Sequence, residues 1–373
     1  MTLTVLVTGA SGLVGSEVVA RLSGAGHTVF ALMHANSEVV RNNGRRLKTL
    51  DWREAAPRGS VVRVNGDITK PRLGLSDHQY DALRTVDRVV HVAAVTTFGL
   101  PADTYERINI AGTEQVLEFA SRTTSSPIPL VHVSTAYVCG ERIGVVGEDE
   151  LDAGQRFGTA YERSKFVAEQ SVHRAAGNGL PVVVVRPSIV VGTERNGVIR
   201  DFKNIYVVLK AFTEGRVRSV AGNYDATLDL VPVDYVAELI SQAVVRFEDA
   251  VGRTFHAVGA QEHNLLDFSN VLAEYPSFHV PRFVSPASFS TARMPLGERA
   301  YYERVVALYE SYFRRSVTFD ATAAKVFMPR RPTVRGLPFL RRLLNHGLRT
   351  GYLGAPQQSI DSVLGLLDAR EAR

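Results

Sequence analysis

Leu3-Thr4-Val5-Leu6-Val7-Thr8-Gly9-Ala10-Ser11-Gly12-Leu13-Val14-Gly15 decides the fold. Its first six residues form an apolar, β-branched run, the pattern of a parallel strand buried on both faces. Three glycines follow, and Val14, Val18 and Leu22 then recur at helical spacing. A strand that passes through a glycine turn into a helix is a phosphate-binding unit of doubly wound α/β sheets. Gly9 permits the tight turn. Gly12 lets backbone amides approach a pyrophosphate at the helix N-terminus, and Gly15 lets helix and strand pack closely. The spacing is G-x-x-G-x-x-G rather than G-x-G-x-x-G. Ser11, Leu13 and Val14 complete the turn.

Outward from this unit the alternation continues. Strands are expected at Thr28–Met33, Val61–Val64, Arg88–Ala93, Pro129–Ser134 and Pro181–Val185, with helices over 104–122 and 159–176. This predicts a Rossmann-type parallel sheet wound on both faces. The pattern changes after Arg186-Pro187-Ser188. We expect a dinucleotide-binding domain over 1–192, rejoined by 227–258, and a smaller, mostly helical substrate lobe from 193–226 and 259–373.

Tyr161-Glu162-Arg163-Ser164-Lys165 lies within the second of those helices. A Tyr and a Lys four apart on a helix point the same way. An ammonium so placed stabilises a phenolate and brings the hydroxyl, normally near ~10, towards neutrality. Ser134 and Thr135 end the fifth strand, where α/β enzymes bind ligands, and alternation sends the two in opposite directions. Thr135 is the preferred partner for a substrate carbonyl oxygen, with Ser134 its competitor.

The end of the second strand selects the nicotinamide cofactor. Met33-His34-Ala35-Asn36-Ser37 holds no acid before Glu38, and Arg41, Arg45 and Arg46 follow. An early acid would accept a ribose 2′-hydroxyl, whereas a 2′-phosphate needs cationic donors. NADPH is therefore expected, with His34 and Arg41 nearest. Asp67 of Gly66-Asp67-Ile68 is positioned to meet the adenine amine or to cap a turn, and Ala93-Ala94 leaves room for a ribose.

Together, Thr8–Gly15, Ser134-Thr135, Tyr161/Lys165 and Arg186-Pro187-Ser188 resemble the extended short-chain dehydrogenase/reductase superfamily over residues 3–258. The resemblance implies a Thr135, Tyr161, Lys165 triad and a loop, Pro187-Ser188-Ile189, bordering the nicotinamide. Residues 66–76, 89–94 and 108–113, with His132–Val138 and 186–190, look like the thioester-reductase group. That group includes fatty acyl-CoA reductases and the terminal reductase domains of carboxylic acid reductases and of peptide or polyketide synthases. Phe319–Ala324 is similar to their C-terminal region. His34 stands where the group usually carries Arg. The implied chemistry is hydride transfer to the acyl carbonyl of a thioester, Tyr161 protonating the oxyanion with Thr135 assisting and Lys165 holding the ribose. The hemithioacetal collapses to aldehyde and thiol, and a second reduction would give an alcohol. The implied donor is an acyl group on CoA or on an acidic carrier protein. A ketone or hydroxysteroid-type dehydrogenase, a nucleotide-sugar epimerase and a non-catalytic dinucleotide sensor are the competing readings.

Bulk properties bound these readings. The chain has 373 residues, 45% hydrophobic and 22% charged, with net charge +5, long enough for a large core and too diffusely basic to indicate nucleic acid. One cysteine, Cys139, excludes an internal disulfide and suits a cytoplasmic location. No secretion signal, apolar membrane span or metal-ligand pattern is expected. Leu337–Arg349 is basic and amphipathic, fitted either to a lobe core or to a membrane surface or acidic carrier. Tyr301, Tyr302, Tyr309, Tyr312 and Phe313 form an aromatic stripe, either core or the wall of an acyl channel.

Overall fold

The computed structural model describes residues 2–36, 38–121 and 126–354. Residue 37 of the strand-end stretch, the last residue of the expected 104–122 helix and residues 355–373 of the expected lobe lie outside the described residues.

In chain order the first part comprises β1 (Thr4–Thr8), α1 (Leu13–Gly24), β2 (Thr28–Met33), β3 (Thr49–Leu50), β4 (Val61–Asn65), α2 (Asp77–Leu83), β5 (Arg88–His91), α3 (Ala102–Tyr105), α4 (Gly112–Ser121), β6 (Leu130–Val133), β7 (Gly144–Val146), α5 (Ala160–Gly177), β8 (Val182–Pro187) and β9 (Ile189–Val191). Then come α6 (Ile205–Thr213), β10 (Ser219–Ala221), β11 (Thr227–Pro232), α7 (Val233–Val245), α8 (Phe247–Ala250), β12 (Thr254–Ala257), β13 (Glu262–Asn264), α9 (Leu265–Ala273), β14 (Arg282–Val284), α10 (Leu296–Arg304), β15 (Val317–Phe319), α11 (Thr322–Phe327) and α12 (Leu337–Arg349).

The central sheet has eight strands in the order β12-β8-β6-β5-β1-β2-β4-β3, every pair parallel. Val5, Leu6 and Val7 of β1 are wholly buried, as the apolar run requires. From β1 the order runs one way to β2 and the other way to β5, so a crevice opens at the C-terminal ends of β1 and β5. On one face Val18, Val19 and Leu22 of α1 pack with Val236, Leu239 and Ile240 of α7. On the other, α2, α4 and α5 contribute Leu83, Phe119 and Val172.

A third cluster lies beyond the sheet's C-terminal edge and joins α6, α9, α10 and α12. Here Phe339, Leu340, Leu343, Leu344 and Leu348 of α12 are buried with Leu265 and Phe268. The amphipathic face is therefore core, not a membrane-facing surface. Two expectations about the lobe need adjustment. β11 leads into α7 as expected, but it pairs with β9 and β13 rather than joining the large sheet. Ala321, Ala324, Phe327 and Met328 pack on the sheet cluster instead of the lobe, with Phe327 stacked on Phe255 of β12.

The helix expected over 104–122 is interrupted. Residues Glu106–Ala111 form a π-helical segment between α3 and α4. Such segments are frequent at functional sites, and the buried residue of this one is Asn109.

Candidate active site

The glycine turn is shaped by what a side chain would strike. Gly9 has φ 67°, and a Cβ there would stand 2.7 Å from the backbone of Ala93. A Cβ on Gly15 would lie 2.1 Å from the Gly9 carbonyl oxygen. The Gly12 N–H donates to that same carbonyl at 2.9 Å. No side chain caps α1 and its first turn carries no acid. Its leading amides are left for an anionic group, so the residues present fit a dinucleotide pyrophosphate.

A cavity of about 680 Å³ runs from this turn. Its first walls are Gly9, Ser11, Gly12, Leu13, Val14 and Gly15, then His34, Asp67, Ile68, Ala93 and Ala94, then Ser188 and Ile189. Pro187 is set back, its carbonyl accepting from the Thr135 hydroxyl at 3.2 Å. Asp67 caps the turn after β4 and lines the cavity. One oxygen accepts from the Thr69 amide and hydroxyl at 2.9 and 2.8 Å, and the other faces His34 Nε2 at 3.4 Å. Although burial acts the other way, the Thr69 hydrogen bonds hold its carboxyl below the usual range.

Arg41 does not reach the cavity. Its guanidinium is held on Glu17 of α1, Nη2 to Oε2 at 2.7 Å. Glu38 pairs with Arg46 at 3.3 Å, so it too is turned elsewhere. A different arginine braces the turn. Arg200, from the segment after β9, donates to the Ser11 carbonyl at 2.9 Å and to the Val40 carbonyl. Asn36 donates to Ser11 Oγ at 3.0 Å. Arg200 is far from the turn in sequence, and no local pattern announces it.

Thr135 and Tyr161 meet on the cavity wall, where the Thr135 hydroxyl interacts with the phenol. Thr135 also caps the turn after β6, accepting from the Tyr137 N–H at 3.3 Å. Ser134, as alternation requires, turns away towards the buried Glu169. Lys165 lies just behind the wall, 2% exposed, and Nζ donates to the Val133 carbonyl at 2.9 Å. Burial pushes its ammonium down to about 8, with Glu169 acting the other way.

The expected coupling of ammonium to phenol is not what sets Tyr161 here. Burial pushes the phenol well above its usual value, the Thr135 hydroxyl opposes this, and Glu162 and Tyr105 add to it. Lys165 Nζ donates instead to the Val133 carbonyl at 2.9 Å. The phenol thus stays protonated at neutral pH, the state a proton donor needs.

Asn109 is a second residue missing from the expected site. Its side chain exchanges hydrogen bonds with the Val95 main chain, 2.8 Å from the N–H and 3.1 Å to the carbonyl, and donates to Ser164 Oγ at 2.9 Å. It ties the cavity loop after β5 to the helix carrying Tyr161 and Lys165. Below Lys165, Glu169 and Arg186 form a fully buried pair at 2.6 Å. Although burial acts the other way, Arg186 holds the Glu169 carboxyl down at about 2. Ser188 donates to the buried Asp229, whose carboxyl burial pushes up to about 7.

Past Tyr161 the cavity becomes apolar and aromatic. Phe98 stands 5.7 Å from Tyr161, 5.0 Å from Tyr309 and 5.8 Å from Tyr312, ring centre to ring centre. Phe313, Ile199, Ile205 and Leu228 add to that end, and the polar side chains of Arg107, Asp201, Lys203 and Asn204 also line the cavity. The aromatic stripe therefore divides. Tyr309, Tyr312 and Phe313 line the cavity, whereas Tyr302 is core, donating to Glu310 at 2.7 Å, and Tyr301 packs outside it.

The site can be set against known proteins. Residues 7–240 match the family described as the male sterility protein, an NAD-binding family. A linear gramicidin synthase from Brevibacillus parabrevis is 28% identical over 278 residues, covering 72% of this chain and 5% of that protein. Probable fatty acyl-CoA reductase 5 of Arabidopsis thaliana is 25% identical over 346 residues, covering 72% of this chain and 68% of the plant protein. The chain thus spans only a small part of the synthase. Among solved structures, the terminal R domain from the myxalamid PKS-NRPS biosynthetic pathway superposes with a TM-score of 0.78 at 26% identity, over 96% of this chain and 93% of that one. A UDP-glucuronic acid 4-epimerase from Bacillus cereus, solved with NAD, superposes at 0.63 and 20% identity, over 94% of this chain and 98% of that one, and shares the fold. The chain belongs to the male sterility protein family, within the thioester-reductase group of the extended short-chain dehydrogenases/reductases.

Proposed function

We propose that this protein is an NADPH-dependent reductase of acyl thioesters. One observation carries the reading. A single cavity passes from the glycine turn, past the paired hydroxyls of Thr135 and Tyr161, to an apolar end walled by Phe98, Tyr309, Tyr312 and Phe313. A nicotinamide, when bound, supplies the hydride. Thr135 and Tyr161 hold the carbonyl oxygen, and Tyr161 gives it a proton as charge develops. Lys165, held on Val133, fixes the floor beneath them. The aromatic end seats the acyl group and excludes water from it.

The reductases and synthases similar to this chain support the thioester as substrate. An epimerase must seat a charged nucleotide sugar, and an aromatic apolar end is poorly suited to one. The donor is an acyl group on CoA or on an acidic carrier protein, attracted by a net charge of +5. For the cofactor's 2′-phosphate we favour His34, which lines the cavity, over Arg41, which is held on Glu17; Arg200, itself 3.4 Å from Asp201, braces the turn from outside. The sheet with its β12 strand forms the cofactor domain, and residues 193–226 with 259–320 and 329–354 form the substrate lobe. A lone buried cysteine suits the cytoplasm.

Incubation with a panel of acyl-CoA and carrier-bound thioesters tests the reading. NADPH consumption with stoichiometric thiol release and an aldehyde or alcohol product is expected. Absence of all three across the panel refutes it. Comparable dissociation constants for NADPH and NADH would refute the choice of cofactor alone.

A further inference from the structure

Arg315 enters the site from the far end of the chain. It precedes β15 by two residues, yet its guanidinium is buried beside the catalytic helix, 4% exposed. Nη2 donates to Glu162 Oε1 at 2.6 Å, and the Glu162 side chain has no exposure at all. Nη1 donates to the Gly140 carbonyl. The guanidinium carbon stands 4.5 Å from the centre of the Tyr312 ring and 5.1 Å from that of Tyr137, and both rings line the cavity. The other oxygen of Glu162 accepts from the Gly158 and Thr159 amides at 2.9 and 3.2 Å, which closes the capping box of α5. One carboxylate, adjacent in sequence to Tyr161, thus holds the first turn of the catalytic helix with one oxygen and the C-terminal part of the chain with the other.

Buried ion pairs are a poor source of net stability, because desolvation cancels much of the attraction, but removing one partner leaves an uncompensated charge. A pair in this place is better explained by what it aligns. We propose that Arg315 is a positioning residue that fixes Tyr161 against the aromatic wall and neutralises the carboxylate beside it, so that the proton donor is set only when the C-terminal segment is docked. The inference rests on Tyr161 as that donor. Burial raises the Tyr161 phenol most and the negative charge of Glu162 adds to it, which makes it a weaker acid; Arg315 is the cation paired with that carboxylate.

Three variants test this: Arg315→Met, Arg315→Lys and the double variant Glu162→Gln/Arg315→Met. The glutamine keeps an acceptor for the capping box and removes the charge. Arg315→Met is expected to lower kcat at least ~10-fold, the scale of a small misplacement of a reacting group, with the dissociation constant for NADPH unchanged. Arg315→Lys falls between, and the double variant recovers most of the kcat. With kcat expressed per folded molecule, an arginine acting through stability alone would leave kcat unchanged in all three variants, so the loss and its recovery report on the unpaired Glu162 charge beside Tyr161. Wild-type kcat in Arg315→Met, or a double variant no better than the single, overturns the proposal. If Arg315→Met does not fold, the double variant decides alone, an inactive folded protein being the overturning result. Hydrogen exchange on the ligand-free proteins provides a readout independent of turnover. The amides of Gly158 and Thr159 should exchange at least ~10-fold faster in Arg315→Met, as expected of a lost cap contact. Unchanged exchange overturns the clamp even if the wild type reduces no thioester, an outcome that would count separately against the substrate reading.

Discussion

At one end of the cavity the wall is main chain; at the other it is rings. The glycine turn is held by contacts so close that a Cβ at Gly9 or Gly15 would sit 2.7 or 2.1 Å from backbone atoms. The far end is held by Phe98, Tyr309 and Tyr312 lying against one another at 5.0 to 5.8 Å, a spacing that rotamer changes can adjust. The difference teaches where tolerance lies. Backbone contacts this close leave one shape for a ligand, whereas neighbouring rings can re-pack around groups of different size.

Tyr161 stands at the junction, and its removal should have the largest effect. Tyr161→Phe is expected to lower kcat by roughly 10²–10⁴-fold while leaving NADPH affinity intact. Rates near wild type, measured by loss of reduced-nicotinamide absorbance, would remove the junction from the comparison. Next comes the rigid end. Gly15→Ala is expected to weaken NADPH binding by ~30-fold or to destabilise the protein, since overpacking against backbone has no easy relief. Binding retained in a fluorescence titration would mean that the turn is softer than its contacts imply.

The adaptable end should respond differently. Phe98→Ala removes ring contacts worth ~0.5–1.5 kcal/mol each, so KM for the thioester should rise about tenfold with NADPH affinity unchanged. A matching loss in cofactor affinity would show that the two ends are not independent. The smallest effect concerns Lys165, behind the junction. Its folded-state pKa is lowered by burial to about 8, against ~10.4 when unfolded. Between those values the unfolded chain binds the extra proton, so this group's contribution makes stability rise with pH across that window. Below it the folded state bears the full cost of the buried ammonium. Lys165→Met should flatten the rise, measured by chemical denaturation from pH 7 to 10. An identical pH slope in both proteins would contradict the buried, proton-shedding lysine.

Much of the cofactor end was readable because its signals are local. The run Leu3–Thr8, the three glycines and the helical spacing after them all act within one turn of chain, and β1 and α1 formed there. The pairing of Tyr161 and Lys165 on one helix face was readable for the same reason, being one helical turn apart, whereas strand alternation separated Thr135 from Ser134 without saying which of them faces the cavity. What Lys165 binds was not readable. Its ammonium went to the Val133 carbonyl rather than to the phenol, a preference created by strand β6 lying beneath α5. Arg41 misled because an arginine near a strand end looks available until Glu17 of α1 is seen beside it. Asn109 was hidden by a π-helical segment, which has no periodicity to announce it. Arg200 and Arg315 were hidden by distance along the chain.

The parallel sheet, the glycine cradle and the Tyr–Lys helix follow from residues that are neighbours in the chain and act through backbone sterics or helical spacing. Long-range packing sets which cations lie at the turn, which rings wall the far end of the cavity and which charge stands beside Tyr161. Those choices depend on pairing buried groups far apart in sequence, where desolvation forces each charge to find a partner and the fold alone fixes which partner is within reach.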